Sequence, residues 1–256
     1  MKEDSFSTLA RYYDVIMAHV DYARWASVSD HLADALPIPL RYLDVGCGTG
    51  TMLEYMADTD RSCFGLDLSP SMANLAYKTC PQAHVAVGTM AQLPFTPSFH
   101  LITCLFDSLN FVLEEDAVQS TIQGFRASLL PGGLLYFDVV TERMVTEHFL
   151  GPEWSEQHGP FTTSWHTKYD RETKIAETTV RVNSGEADIL RERIYPVERL
   201  EKLLKDAGLD VMACYDANTW KKPGRRTVRV EFIAGLEVSP AISRKVSSIL
   251  MQMRNS

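Results

Sequence analysis

The sequence predicts a Rossmann-like α/β fold: a mostly parallel seven-stranded sheet with helices on both faces and a small antiparallel β insertion after strand five. Short apolar runs alternate with helical segments, a glycine-rich turn follows the first run, and the alternation breaks down in the second half. Continuous apolar strands are typical of parallel sheets covered on both faces. The 256 residues are enough for a single domain, 1–256, that carries an insertion.

The first half of the chain predicts five strands with helices between them. Helices are expected over 50–59, after Ser69-Pro70 and over 114–130. Ser69 is a favourable N-cap, Pro70 suits the first helical position, and Pro131-Gly132-Gly133 ends the third helix. The predicted strands are 41–45, 62–68, 83–87, 101–106 and 134–140.

The second half predicts an antiparallel insertion within 141–195. Segments 161–169 and 174–182 form a hairpin, and 189–195 is a candidate third strand. After the insertion the sequence predicts helix 197–207, strands 209–215 and 227–236, and an amphipathic tail helix at 239–254.

Composition limits the classes of partner. The net charge of −8 argues against a protein that grips nucleic acid through its phosphates. The densest basic cluster is interpreted as a solvated turn rather than a binding patch, and consists of Lys221, Lys222, Arg225 and Arg226. Five scattered cysteines without zinc spacing indicate free thiols and no metal site. Without a signal-like or membrane-spanning run, we expect a cytoplasmic protein with no membrane partner.

The cofactor signal is the stretch LDVGCGTG at 43–50, which leaves a strand and enters a helix. Glycines there allow a tight turn and close approach of a ligand. Asp67 ends the next strand, where a carboxylate can accept hydrogen bonds from both ribose hydroxyls of an adenosine. A dinucleotide site typically has GxGxxG, whereas the spacing here is GxGxG, and Asp44 would lie unfavourably close to a pyrophosphate. Asp44 suits S-adenosylmethionine (SAM), which has an ammonium, a sulfonium and no phosphate; alternatively it only braces the loop.

Five motifs resemble, in order, those of class I SAM-dependent methyltransferases over about residues 10–140. The segment 12–28 is similar to that of a bacterial subgroup acting on small molecules, including aminosugar N-methyltransferase-like relatives. The motifs are the glycine-rich LDVGCGTG, the ribose-binding GLDLSPSM (65–72), the adenine-flanking VGTMAQLPF (87–95), the strand-four LITCLFDSLNFV (101–112) and the closing LLPGGLLYFDV (129–139).

The resemblance implies that the protein is a SAM-dependent methyltransferase and indicates its cofactor contacts. Thr89 stands where relatives often carry an aspartate, so it offers a hydroxyl without charge. Leu68 and Met72 are expected to sandwich the adenine, with core packing as an equal alternative. The expected cofactor-binding residues are Tyr13, Trp25, Asp44, Gly46, Cys47, Gly48, Asp67, Leu68, Met72, Thr89, Met90, Ala91, Leu105 and Asn110.

The N-terminal residues 1–40 are expected to form a helical lid. Its aromatic residues would gain cation–π attraction near a sulfonium, although packing of the helix through them is equally compatible with the pattern. Methyl transfer mainly requires alignment and exclusion of water, and a base only for a protonated or weakly acidic acceptor. The candidate catalytic residues are Tyr13, Asp107 and His166.

The expected acceptor is a small polar metabolite enclosed by segment 10–28, the loop after strand four and the insertion 141–195. The insertion follows strand five at the ligand-bearing end of the sheet. It carries Trp165, His166, Tyr169 and Arg193. The alternatives are a methyltransferase acting on RNA or protein, anchored by the basic cluster, and a non-catalytic SAM-binding protein. A monomer or homodimer is expected, and the acceptor atom is not determined.

Overall fold

The computed structural model describes residues 4–255 and contains two sheets. Residues 1–3 of the predicted lid 1–40, and Ser256, lie outside the described residues. The strands are β1 (Leu40–Val45), β2 (Arg61–Asp67), β3 (His84–Val87), β4 (Phe99–Cys104), β5 (Leu129–Val140), β6 (Trp154–His158), β7 (Phe161–Asp170), β8 (Ile175–Val182), β9 (Ala187–Arg193), β10 (Asp210–Asp216) and β11 (Arg229–Gly235).

The large sheet has the order β10-β11-β5-β4-β1-β2-β3. Its strands β1 to β5 pair in parallel, and β11 runs antiparallel between β5 and β10. The carboxyl ends of β1 to β5 therefore meet at one edge, called here the carboxyl edge. The chain order reverses between β1 and β4, which is where such sheets bind their ligands. The expected mostly parallel seven-stranded sheet is confirmed.

Helices cover both faces of the large sheet, as expected. One apolar layer includes Trp25, Leu32 and Leu53, and the other includes Ile122 and Leu203. The helices are α1 (Tyr13–Ile16), α2 (Tyr22–Ala33), α3 (Thr51–Met56), α4 (Pro70–Thr79), α5 (Glu115–Ser128), α6 (Glu142–Met144), α7 (Val197–Asp206) and α8 (Pro240–Asn255). Short 3₁₀ turns occupy Ala10–Tyr12, Met90–Gln92 and Ser108–Phe111, and a π turn occupies Val145–Phe149. None of these helices, within the described 4–255, is long and apolar enough to cross a membrane.

The start of α4 follows the sequence signal closely. The Ser69 side chain accepts a hydrogen bond from the Met72 backbone N–H at 3.1 Å, and Pro70 occupies the first turn. Ser69 thus pairs one of the helix donors that has no partner within the helix, while proline needs none. This cap fixes α4 directly after Asp67.

Two boundaries differ by three residues or more from the sequence expectation. The helix predicted over 50–59 ends at Met56. The run Pro131-Gly132-Gly133 lies within β5 rather than between a helix and a strand. The reason is a tertiary contact: the Gly132 N–H donates to the Leu236 carbonyl, and the Leu236 N–H donates to the Gly133 carbonyl.

The small sheet has the antiparallel order β6-β7-β8-β9. The hairpin of β7 and β8 is confirmed, and the third strand is β9, shifted to 187–193 from the expected 189–195. Strand β6 was not predicted. It is an edge strand whose residues are mostly exposed, so its sequence WSEQH lacks the apolar alternation by which strands are recognised.

Candidate active site

The glycine-rich loop turns sharply between β1 and α3. Gly46 has φ +75° and Gly48 φ +53°, values that side-chain-bearing residues rarely adopt. The Gly46 N–H donates to the Leu66 carbonyl at 2.7 Å, which ties the loop to β2. A Cβ on Gly46 would lie 2.6 Å from Ser108 Oγ, whereas one on Gly48 would meet no described atom within 4 Å. The loop is thus tightly packed at Gly46 and open beside Gly48.

The Asp67 carboxylate links this loop to α4. Its Oδ2 accepts a hydrogen bond from the Gly48 N–H and its Oδ1 one from the Ser69 N–H, both at 2.8 Å. Burial raises the pKa of Asp67, and these backbone donors oppose that rise. Each carboxylate oxygen can accept about two hydrogen bonds, so acceptor capacity remains for two ribose hydroxyls. The neighbouring Leu68 side chain is 61% exposed and offers an apolar surface beside them.

Asp44 lies below the loop and is almost fully buried. Thr103 Oγ1 donates to its Oδ1 at 2.6 Å, and the Tyr42 hydroxyl lies 2.6 Å from Thr103 Oγ1. Burial raises the pKa of Asp44 to about 7. These contacts are the bracing role that the sequence left as an alternative, and contact with a ligand ammonium stays a prediction.

The segment after β3 approaches the glycine loop from the other side. Thr89 Oγ1 accepts a hydrogen bond from the Ala91 N–H at 3.3 Å and so caps the 3₁₀ turn. The Met90 side-chain methyl lies 3.7 Å from the Cβ position of Gly46. Met72 is buried in the protein, so of the expected adenine sandwich only Leu68 has an exposed face.

Two further expected cofactor residues contact the protein interior. Cys47 packs its sulfur 2.9 Å from the Cβ position of Gly65, and burial raises the pKa of its thiol well above the usual range. Cys47 is therefore a small packing residue rather than a nucleophile. Leu105 is buried, and its carbonyl accepts a hydrogen bond from Ser108 Oγ at 2.9 Å.

The N-terminal segment, residues 4–17, crosses the carboxyl edge. Thr49 Oγ1 in the glycine loop donates to Asp14 Oδ1 at 2.6 Å. The Tyr13 hydroxyl interacts with that of Tyr22 and lies within the electrostatic range of Asp107 and Asp67. Desolvation raises the pKa of Tyr13 well above its usual value. The Tyr13 hydroxyl of the N-terminal segment therefore interacts electrostatically with the acidic groups of both the cofactor site and the loop after β4.

Trp25 has the contacts of a packing residue. It is 6% exposed, its Nε1–H donates to Glu231 Oε1 at 3.1 Å, and the Arg229 guanidinium lies 5.5 Å from its ring centroid. Its ring also packs against Phe106 at 5.7 Å. The alternative of helix packing through aromatics is the one that these contacts favour for Trp25.

The loop after β4 carries strained backbone. Phe106 and Asp107 have φ of 57° and 53°, a conformation that costs about 1–3 kcal/mol per residue and clusters at functional sites. The Asp107 N–H donates to Asp138 Oδ2 at 3.1 Å, and its carboxylate forms an ion pair with Arg229 at 2.8 Å. These partners hold the Asp107 carboxyl group near Tyr13, which keeps it a candidate catalytic residue.

Asn110 is fully buried and its amide is hydrogen-bonded within the protein. Its Nδ2 donates to the Arg193 carbonyl at 2.8 Å, and its Oδ1 accepts from the Val140 N–H at 3.1 Å. Asn110 thus ties β9 to the end of β5. This position favours a structural role over the cofactor contact expected for it.

The inner face of the small sheet packs on the N-terminal segment. Directly paired residues of antiparallel strands share a face, and β7, β8 and β9 place Trp165, Val180 and Asp188 in one row. The Asp188 carboxylate accepts hydrogen bonds from the Leu9 N–H at 2.6 Å and the Thr8 N–H at 3.2 Å. The N-terminal segment and the small sheet are therefore joined directly by hydrogen bonds.

His166 points the other way. Because neighbours along a strand face opposite sides, His166 lies on the outer face with its paired residue Thr179 and with Ile189. That face also carries the exposed ion pair of Glu177 and Arg191. The catalytic role expected for His166 is not supported by this position.

The sequence reasoning missed three charged residues that surround Asp107. Glu192 is 7% exposed on the inner face of β9, and its carboxyl group interacts with that of Asp107. Arg229 forms ion pairs with both Asp107 and Asp138. The only signal for Glu192 was its acidic side chain at an inward position of an alternating strand.

Comparisons with known proteins identify the kind of domain that holds this site. A family model described as a methyltransferase domain matches residues 43–133, which hold the glycine loop, Asp67 and the loop after β4. The chain therefore carries the domain of a SAM-dependent methyltransferase. YqeM of Bacillus subtilis (strain 168), which is named for methyltransferase activity but for no substrate, is 25% identical over 90% of this chain and 96% of its own.

Two other comparisons bear on the fold and on substrates. The chain resembles the crystal structure of a SAM-dependent methyltransferase from Clostridium acetobutylicum ATCC 824 with a TM-score of 0.77 and 23% identity, covering 89% of this chain and 97% of that one. It is 31% identical to a Streptomyces venezuelae dTDP-3-amino-3,4,6-trideoxy-alpha-D-glucopyranose N,N-dimethyltransferase, over 45% of this chain and 49% of that enzyme.

The residues of the methyltransferase fit SAM. The open side of Gly48 leaves room for a ligand against the backbone, and Asp67 retains acceptor capacity beside the exposed Leu68. An adenosine needs this combination of a ribose acceptor and an apolar surface. Individual cofactor contacts stay predictions.

Proposed function

We propose that this methyltransferase methylates a small polar metabolite held between the N-terminal segment, the loop after β4 and the inner face of the small sheet. The main support for the proposal is that groups from all three parts interact at Asp107. The Tyr13 hydroxyl interacts with it electrostatically from the N-terminal segment, and the Glu192 carboxyl group interacts with it from β9. An acceptor enclosed in this way is small, since protein surrounds it on three sides.

The proposal also assigns roles to the N-terminal residues and to the insertion after β5. Residues 1–40 act as a lid, and the insertion 141–195 forms part of the acceptor pocket. The hydrogen bonds of Asp188 to Thr8 and Leu9 support a coupled closure of both. Because the hydroxyl groups of Tyr13 and Tyr22 are bonded to each other and removed from water, the lid opens for SAM and acceptor to enter.

Bound SAM supplies a methyl carbon on a sulfonium, a good leaving group, so the protein needs only to orient the acceptor and exclude water. Asp67 and the Gly48 side of the loop hold the ribose. The raised pKa of Tyr13 keeps its hydroxyl protonated, so it acts as a hydrogen-bond donor and not as a base. Asp107 faces the acceptor.

The partial relatives support a sugar-like acceptor. The Streptomyces enzyme named above acts on a dTDP-linked aminosugar, and the match to it covers 45% of this chain. A polymer acceptor is the second candidate. It is favoured by the exposed cluster Lys221, Lys222, Arg225 and Arg226, because the loop between β10 and β11 lies at the carboxyl edge, where the Thr141 N–H donates to the Val228 carbonyl at 3.0 Å.

Labelled SAM distinguishes the two candidates and a non-catalytic SAM-binding protein. The enzyme is incubated separately with total RNA, total protein and a small-molecule extract. We expect label in the extract alone, and unchanged labelling when the basic cluster is replaced by alanines. Labelled RNA or protein that is lost with the cluster would overturn the proposal, and SAM binding without any labelled product would indicate a sensor. A matched control removes four exposed cations elsewhere: Lys78, Arg126, Lys205 and Arg244.

A further inference from the structure

A buried group of four charges lies between the two sheets at the carboxyl edge. Arg229 pairs with Asp107 and Asp138, and Glu192 lies against Asp107 from the small sheet. All four side chains are largely buried. We call this set, Asp107, Asp138, Glu192 and Arg229, the carboxyl cluster.

The carboxyl cluster has more acids than bases. One guanidinium faces three carboxyl groups, so the ionised cluster would have a net charge of −2. Buried charges without partners are costly, and a buried site of this kind is stable only with a proton or a cation added. Burial, and then the neighbouring Asp107, raise the pKa of Glu192 well above its usual range. A proton on Glu192 therefore reduces the excess negative charge of the cluster when no acceptor is bound.

Glu192 has a buried oxygen that no N–H or hydroxyl group contacts. Its carboxyl group interacts with that of Asp107, and apart from that carboxyl contact Oε1 has no hydrogen-bond partner within residues 4–255, in a residue that is 7% exposed. Asp107 Oδ1 and Asp138 Oδ1 likewise lack hydrogen-bond partners there, although Oδ1 of Asp107 contacts Arg229 as an ion pair. Buried polar atoms are normally paired, and an unpaired one in a native protein calls for a ligand or another explanation.

We propose that the Asp107–Glu192 pair binds the ammonium group of the acceptor and removes a proton from it, so that the enzyme is an N-methyltransferase for primary or secondary amines. The proposal rests on the proposed function and gives it an acceptor atom. Oε1 of Glu192 supplies an acceptor for an N–H, and the excess negative charge of the carboxyl cluster supplies the preference for a cation. An alcohol or thiol acceptor carries no charge to offset that excess.

The reaction moves two protons and one methyl group. Glu192 first releases its proton to solvent as the cationic acceptor R–NH₃⁺ enters. The acceptor then gives one proton to the ionised pair, which shares it between two carboxyl groups. The freed nitrogen lone pair forms the N–C bond to the methyl group, the C–S bond breaks, and its electron pair stays on sulfur. The product R–NH₂–CH₃⁺ is again a cation, and the shared proton returns to solvent when the lid opens.

The first experiment asks which chemical class is methylated. A metabolite extract is divided into two portions, one of which is treated with an N-hydroxysuccinimide ester that acylates amines, and each portion is incubated with methyl-labelled SAM. We expect label in the untreated portion and little in the acylated one. Equal label in both portions would overturn the amine assignment while the proposed function stands. An absence of label from both portions would contradict the proposed function and this inference with it.

The second experiment removes the pair while keeping its shape. Glu192→Gln resembles the protonated acid but cannot accept a proton, and general-base catalysis is worth about 10²–10⁴-fold. We expect kcat/KM for the labelled amine to fall about 100-fold or more, with the SAM Kd within about threefold of wild type. Glu177→Gln, on the exposed outer face of β8, is the matched control with unchanged rates. Wild-type rates in Glu192→Gln would overturn the proposal, as would a loss that lies only in SAM affinity.

A pH profile separates proton removal from a structural effect. The groups that face the pair are Asp138 and Arg229 of the large sheet, Tyr13 of the N-terminal segment and Tyr22 of α2. In the wild type, kcat/KM rises with pH as the pair loses its proton. With Glu192→Gln, this rise is lost, because the amide cannot take up the proton that Glu192 accepts. An unchanged profile would contradict proton removal by the pair.

Discussion

The two halves of the site are built differently. The cofactor half lies within residues 43–91 and is held by backbone groups, as in the hydrogen bonds from the Gly48 and Ser69 N–H groups to Asp67. The acceptor half joins residues from β5, β9, β11 and the loop after β4, which are held by buried side-chain charges. A contiguous motif can specify the first half, whereas the second exists only once distant strands have paired.

The two halves also differ in how a substitution changes the free energy of unfolding and of ligand binding. Backbone donors keep their partners in any sequence that maintains the loop, so the cofactor half depends mainly on glycine at tight positions and on one carboxylate. In the carboxyl cluster the buried charges neutralise one another, so removing one partner leaves the others buried and unpaired. We therefore expect single substitutions to affect stability in the acceptor half and ligand affinity in the cofactor half.

The largest effect is expected from Arg229→Met, which retains bulk but removes the one cation of the carboxyl cluster. Breaking a buried ion pair in this way costs about 3–5 kcal/mol, so denaturant unfolding should show a loss of that size. The control Arg191→Met removes an exposed pair with Glu177, which is worth about 0–1 kcal/mol. Equal stability of the two variants would contradict the claim that buried charges stabilise the acceptor half.

A smaller effect, on affinity, is expected from Asp67→Ala. Loss of charge-assisted hydrogen bonds to a ribose should weaken SAM binding by about 2 kcal/mol, measured by calorimetry. Asp58→Ala, at an exposed turn after α3, should bind SAM as the wild type does. Unchanged SAM affinity in Asp67→Ala would refute the ribose assignment.

The smallest effect is expected at the junction of the halves. Asp188→Ala removes the acceptor of the Thr8 and Leu9 N–H groups and should loosen the N-terminal segment by about 1 kcal/mol. Hydrogen exchange at residues 8 and 9 should accelerate, and SAM should dissociate faster. Asp170→Ala, at the exposed β7–β8 turn, is the control. If SAM dissociation is unchanged while exchange accelerates, the segment is not a lid.

Deleting residues 1–28 is a poor test of the lid. The expected helical lid, 1–40, is not separate from the core, because α2 starts at Tyr22, and Trp25 and Val28 are buried in the core. The deletion would therefore disturb packing and cofactor access together. The Asp188 substitution acts on the segment without removing core residues.

The amino-acid sequence by itself determined the fold class, the cofactor and the loop that holds it. Apolar runs and glycines act over a few residues, so Gly46, Gly48, Asp67 and the cap at Ser69 were readable from local pattern. The two sides of a strand were readable too, since Glu192 and His166 each stand in an alternating segment.

Only the tertiary structure decided which of those sides faces the site. Alternation fixes that neighbours point apart, but the pairing of β7, β8 and β9 and their packing on the N-terminal segment turn Glu192 inward and His166 outward. Trp25 packs between Glu231 and Arg229, and Asn110 bonds β9 to β5, by contacts with residues far away in the chain. Such contacts leave no local pattern, because both partners must be folded before either has its neighbour.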